Sequence, residues 1–238
     1  MTGDQTIETA DGPMRLYEAT PAGAARGGVV AIQEAFGVNP HIEDVTRRLA
    51  AAGYHAVAPD LFHRGGPGGV ADYGDFETVI KLFGTVAGDD AIVVDVNAAL
   101  DYLRRAGFAD TSIGIVGFCF GGRASFLTAL RSTIGAAVGF YGGGIVTGRF
   151  PQFPTLIDEA ATLRTPWLGL FGDLDGSIPV EDVETLRTAL VAAPVATEIV
   201  RYADAKHGFH CDARDDYNPD AAADAWARTL DWFAAHLR

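Results

Sequence analysis

The stretch Ile113-Gly114-Ile115-Val116-Gly117-Phe118-Cys119-Phe120-Gly121-Gly122 constrains this chain more than any other. A continuous apolar run of strand type enters Gly-x-Cys-x-Gly and continues into an apolar helix. A turn this sharp forces its middle residue into strained backbone angles, and side chains two positions to either side would collide with it, so glycine stands at 117 and 121. The helix beginning at Phe120 then directs its N-terminal partial positive charge at the sulfur and favours the thiolate. Taken alone, the stretch also fits a plainer role, a buried cysteine among glycines that let a helix pack closely on a strand. The residues that could work with Cys119 must decide between the two.

The rest of the chain repeats the strand-then-helix pattern. Apolar runs flanked by glycine and aspartate predict core strands at Gly28 to Ile32, His55 to Ala58, Ser112 to Phe118, Ala136 to Tyr141, Trp167 to Phe171 and Glu198 to Tyr202. Amphipathic stretches predict helices at His41 to Ala52, Phe76 to Val86, Asp89 to Ala106, Phe120 to Leu130, Val180 to Ala192 and Ala221 to Leu237. Before them, Asp11-Gly12-Pro13 supplies turn chemistry for an antiparallel hairpin at one sheet edge, between Thr6 to Ala10 and Met14 to Ala19. The runs at Gly28, Ser112 and Ala136 are continuous rather than alternating, as for strands covered by helices on both faces. The fold class expected is α/β, a mostly parallel sheet in one domain of 238 residues, with ligands beyond the carboxyl ends of the strands.

A thiol nucleophile needs a base and an orienting acid, which in this architecture follow it in the order acid, histidine, each just past a strand. After Trp167 to Phe171 comes Gly172-Asp173-Leu174-Asp175-Gly176-Ser177-Ile178-Pro179, with Asp175 the favoured acid and Asp173 the second candidate. After Glu198 to Tyr202 comes Ala205-Lys206-His207-Gly208-Phe209-His210, with His207 the favoured base and His210 the second. Singly, each has an ordinary explanation, a turn residue for Asp175 and a carbonyl-bound loop histidine for His207. Together, three residue types in order at three strand ends point to Cys119, Asp175 and His207 as a catalytic triad. Beyond the first core strand, the loop Gln33-Glu34-Ala35-Phe36-Gly37-Val38-Asn39 should lie beside the turn. An oxyanion hole is expected from the backbone N–H groups of Phe120 and Ala35, and Glu34 is placed to hold or accept the thiol proton.

Composition narrows the function from the other side. Eighteen basic against thirty-one acidic residues give a formal charge of −13, which repels nucleic-acid backbones and anionic lipid surfaces. Two cysteines, Cys119 and Cys211, make no disulfide framework, and neither a secretory leader nor an apolar span is seen, so a reducing cytoplasm is expected. His207, His210 and Cys211 lack an evident fourth ligand and zinc-like spacing, so neither metal nor cofactor is expected.

Four of these segments, Gln33 to Asn39, Ala58-Pro59-Asp60-Leu61-Phe62, Gly117 to Gly122 and His207 to His210, resemble the dienelactone hydrolase family over nearly the whole chain. The resemblance implies an α/β-hydrolase fold with a Cys-His-Asp triad acting on an ester or lactone. It further implies that the first-loop glutamate, here Glu34, interacts with the thiol and is released by substrate to assist its deprotonation. The dienelactone-cleaving members place an arginine and a tyrosine shortly before a Lys-Leu-aromatic segment, and a second arginine four residues after the catalytic histidine. Here Asp75 to Ile80 precede Lys81-Leu82-Phe83, and Cys211 stands four residues after His207, so that substrate-carboxylate clamp is expected to be missing. Arg123 and Lys206 are the alternative cations. Phe36, Phe76, Ile80, Phe83 and Phe118 suggest a more apolar pocket, with Cys211 beside it.

The expected activity is therefore ester or lactone hydrolysis through an acyl-thioester on Cys119, by a monomer or small homo-oligomer with a small-molecule substrate. Acyl transfer or thioester cleavage on the same scaffold is the alternative. A redox-responsive or ligand-binding protein, with Cys211 resolving an oxidised Cys119, is the rival from another class. A dinucleotide-binding oxidoreductase is disfavoured, because Gly114 to Gly117 does not match G-x-G-x-x-G.

Overall fold

The computed structural model describes every residue except Pro67 and Arg149. Among the described residues, eight strands form one sheet: β1 (Thr2–Thr9), β2 (Gly12–Ala19), β3 (Gly28–Ile32), β4 (His55–Pro59), β5 (Ile113–Phe118), β6 (Ala136–Phe140), β7 (Trp167–Gly172) and β8 (Thr197–Tyr202). Their spatial order is β1-β2-β4-β3-β5-β6-β7-β8. The hairpin β1-β2 caps the edge antiparallel to β4, and the other strands run parallel. Every residue of β3, β5, β6 and β7 is buried, the condition their uninterrupted apolar sequences require.

Among the described residues, six α-helices connect and cover the sheet: α1 (Pro40–Ala51), α2 (Phe76–Phe83), α3 (Asp89–Arg105), α4 (Phe120–Arg131), α5 (Val180–Leu190) and α6 (Pro219–His236). Each starts where the sequence allows it. Asn39 caps α1 by accepting from the Ile42 amide at 3.1 Å, Pro40 following with its preset φ, and Asn218 caps α6 in the same way. Helices α1 and α6 meet where the Arg48 guanidinium lies 4.2 Å from the Trp226 ring.

The strand order fixes where chemistry can occur. From β3 the chain moves outward to β4 and then returns past β3 to form β5. The carboxyl ends of β3 and β5 thus diverge, leaving a crevice between the loops that follow them. Glu34 and Ala35 leave β3 on one side, and Cys119 leaves β5 on the other. The predicted elements all appear, with ends moved by a few residues; α2 stops at Phe83 because the chain turns at Gly84.

Candidate active site

Cys119 has φ 54° and ψ −110° and caps the N-terminus of α4. The turn leaves no room for a side chain nearby. A Cβ on Gly117 would lie 1.9 Å from the Gly121 carbonyl oxygen, and one on Gly121 would lie 2.4 Å from that of Ile32. The Gly121 amide donates to the Gln33 carbonyl at 3.0 Å, which draws the loop after β3 against the start of α4. The Phe120 amide belongs to the first turn of α4 and has no carbonyl one turn back to bond.

The loop after β7 brings in Asp175 and the loop after β8 brings in His207, with 2.6 Å between His207 Nδ1 and Asp175 Oδ2. The other Asp175 oxygen accepts from the Ser177 hydroxyl at 2.6 Å and from the Ser177 and Ile178 amides at 2.8 and 3.1 Å. One carboxylate oxygen is thus locked by its own loop and the other is left for the imidazole. Burial penalises the charged form of the Asp175 carboxyl and so tends to raise its pKa, but the bonds from His207 and Ser177 outweigh this and leave it below the usual value. Burial likewise opposes the imidazolium, yet the neighbouring Cys119 and Asp175 raise the His207 pKa to about 10. His207 is thus set to hold a proton beside Cys119.

The second candidates do not join this group. Asp173 is held by Arg201 through contacts of 2.7 and 2.8 Å. His210 is buried between Phe118, Phe140 and Trp226, where desolvation keeps it neutral. Arg123, four residues after Cys119, is buried and bonded to both oxygens of Asp89 and to the Gly144 and Pro154 carbonyls, so its charge is already matched. Lys206 is exposed beside Asp216. Phe76 and Ile80 are 68% and 67% exposed. The apolar hollow at Cys119, about 60 Å3, is lined instead by Phe83, Phe120, Phe150 and Phe153. Phe118 turns away and stacks on Phe140.

Glu34 is completely buried, and neither of its oxygens has a hydrogen-bond partner among the described residues. Its nearby cation is Arg214, with Nη1 3.6 Å from Oε1. Arg214 also lies over the rings of Phe36 and Tyr73 at 5.8 and 5.9 Å. Sequence reading missed Arg214 because it looked four residues after the histidine, whereas the turns at Cys211 to Asp215 bring the arginine back from seven. It missed Tyr73 for want of any spacing signal. The Tyr73 hydroxyl lies 3.1 Å from Cys211 Sγ and accepts from Asn39 at 3.0 Å. Burial pushes the Cys211 thiol up, which disfavours the thiolate that a resolving cysteine needs.

Comparison with known proteins bears on this site directly. The profile of the Dienelactone hydrolase family matches residues 14–237. The chain belongs to the dienelactone hydrolase family. A carboxymethylenebutenolidase of Pseudomonas putida is 31% identical over 238 residues, covering 98% of this chain and 97% of that protein. A Yersinia pestis protein provisionally named as the same enzyme is 40% identical over 211 residues, 87% of this chain and 78% of its own. The crystal structure of a provisionally named dienelactone hydrolase from Klebsiella pneumoniae superposes with a TM-score of 0.90 at 38% identity, covering 99% of both chains. The α/β-hydrolase fold expected from the sequence is thereby confirmed, and the protein is an ester or lactone hydrolase of the dienelactone hydrolase type. No helix among the described residues is long and apolar enough to cross a membrane.

Proposed function

We propose that this dienelactone hydrolase relative cleaves a small ester or lactone through a thioester on Cys119. The contact of 2.6 Å between His207 and Asp175, made beside a cysteine in a strained turn, carries this reading. His207 takes the thiol proton, and the sulfur adds to the substrate carbonyl. The resulting oxyanion accepts hydrogen bonds from the Phe120 and Ala35 amides, a donor of this kind typically contributing on the order of 3 kcal/mol. The carbon–oxygen bond then breaks, with His207 protonating the departing alkoxide. A water molecule that loses a proton to His207 attacks the thioester, releasing the acid and returning the proton to sulfur.

Glu34, buried at the end of β3, adds a second proton acceptor on the nucleophile's side of the site. Arg214 is the cation that a substrate carboxylate would engage, in exchange for Glu34. Phe83, Phe120 and Phe153 favour a compact apolar portion next to the reacting carbonyl. A nucleophilic thiol operates best in a reducing compartment, in keeping with the cytoplasm.

Stopped-flow hydrolysis of p-nitrophenyl acetate and a panel of small lactones, with intact mass spectrometry, tests the reading. Wild type should show a burst and an acyl adduct, both lost in Cys119→Ala. Full turnover by folded Cys119→Ala would overturn it.

A further inference from the structure

Tyr141 follows the last residue of β6, between the strands that lead to Cys119 and to Asp175. Its φ is 36°, and among the described residues the other non-glycine positive φ is that of Cys119 at 54°. A bulky side chain avoids this region unless its surroundings hold it there, and such residues cluster at functional sites. The Tyr141 amide is tied to the Leu170 carbonyl at 2.7 Å, and its ring centroid is 5.1 Å from that of His207. The side chain is completely buried, yet its hydroxyl has no hydrogen-bond partner among the described residues. Buried phenols almost always find one.

Around that hydroxyl are groups that become anions. The charges of Glu34, Cys211 and Cys119 act on it, with Glu34 foremost, and Arg214 acts in the opposite sense. Glu34 presents the complementary lack, a buried carboxylate without a donor. A buried donor and a buried acceptor, each without a partner, therefore lie within electrostatic reach of one another. Tyr73 and His41, from the loop before α2 and from α1, also sense the Glu34 charge, while His207 faces the Tyr141 ring. Of these neighbours, Tyr73 is already engaged with Asn39 and Cys211.

We propose that Tyr141 is the positioning residue for Glu34: its hydroxyl donates to the Glu34 carboxylate when that group leaves Arg214 to act beside the Cys119 thiol. This rests on the part given to Glu34 above. The bond is a hydrogen bond only, and the proton stays on the phenol.

Tyr141→Phe removes the hydroxyl and keeps the ring, and is compared with Glu34→Gln and the double variant across pH for hydrolysis of a small lactone bearing a carboxylate, the group that draws Arg214 from Glu34. In Tyr141→Phe, kcat/KM should fall about 10-fold near neutrality, the size expected for one hydrogen bond to a charged group. The acid limb of its kcat profile, which reports the substrate complex, should move up by about half a pH unit, because Glu34 there loses a donor that favours its charged form. Its Tm should rise, since a buried hydroxyl lacking a partner is removed. In the Glu34→Gln background, Tyr141→Phe should have no further effect. Unchanged activity and pH profile, a fall in Tm, or an equal loss in the Glu34→Gln background would each overturn the proposal, the last by assigning the hydroxyl to substrate. If Glu34→Gln alone matches wild type, the role given to Glu34 fails, a result separate from failure of Tyr141→Phe alone.

Discussion

Arg123 and Asp89 meet through two hydrogen bonds of 2.6 and 2.9 Å, and the same guanidinium reaches the Gly144 and Pro154 carbonyls. One buried side chain thus ties α4, immediately behind the nucleophile turn, to the start of α3 and to two loops that wall the apolar hollow. A cation four residues after Cys119 is used for construction.

Arg123→Ala should therefore act on stability. It leaves Asp89 without its partner, and breaking a buried pair costs about 3 kcal/mol or more. Urea denaturation should show a lower midpoint, and Arg123→Lys, which cannot bond in the same fork, should recover only part of it.

Gly117→Ala and Gly121→Ala should each cost on the order of 3 kcal/mol and remove activity together with stability, because the added methyl meets backbone rather than a movable side chain. Thermal melts alongside esterase assays test this. Retained activity in either variant would contradict the turn described.

Phe76→Ser and Ile80→Ser should leave ester hydrolysis within about 2-fold of wild type, since both side chains face solvent outside the hollow. Phe153→Ala should instead widen the hollow and raise kcat/KM for bulkier esters relative to acetate. Comparing p-nitrophenyl acetate with longer esters separates the two outcomes.

Stability should fall on both sides of neutrality. Burial lowers the pKa of His41 and His210 below the ordinary 6.5, so below that pH the unfolded chain binds protons that the folded chain refuses. His207 has the opposite sign. Raised to about 10, it stabilises fully below pH 6.5, and that contribution is lost as pH rises from there through about 10. Since the Cys119 charge helps to raise it, Cys119→Ala should lose less stability over this alkaline range, as followed by denaturation at pH 7 and pH 10.

The layered architecture and the nucleophile turn were legible in the amino-acid sequence, because both are written in contiguous residues. Uninterrupted apolar runs require cover on two faces, and glycines at 117 and 121 are required by atoms only a few bonds away. The sequence also ordered Asp175 and His207 behind Cys119, since strand ends can be counted along the chain. It could not choose which cations and phenols reach the site. Arg123 and Arg214 are the same residue type near expected positions, yet one is matched by Asp89 and the other stands 3.6 Å from a buried carboxylate. That difference, like the unpaired hydroxyl of Tyr141, is decided by contacts between segments far apart in sequence. Burial and pairing belong to the packed interior, and no local pattern encodes them.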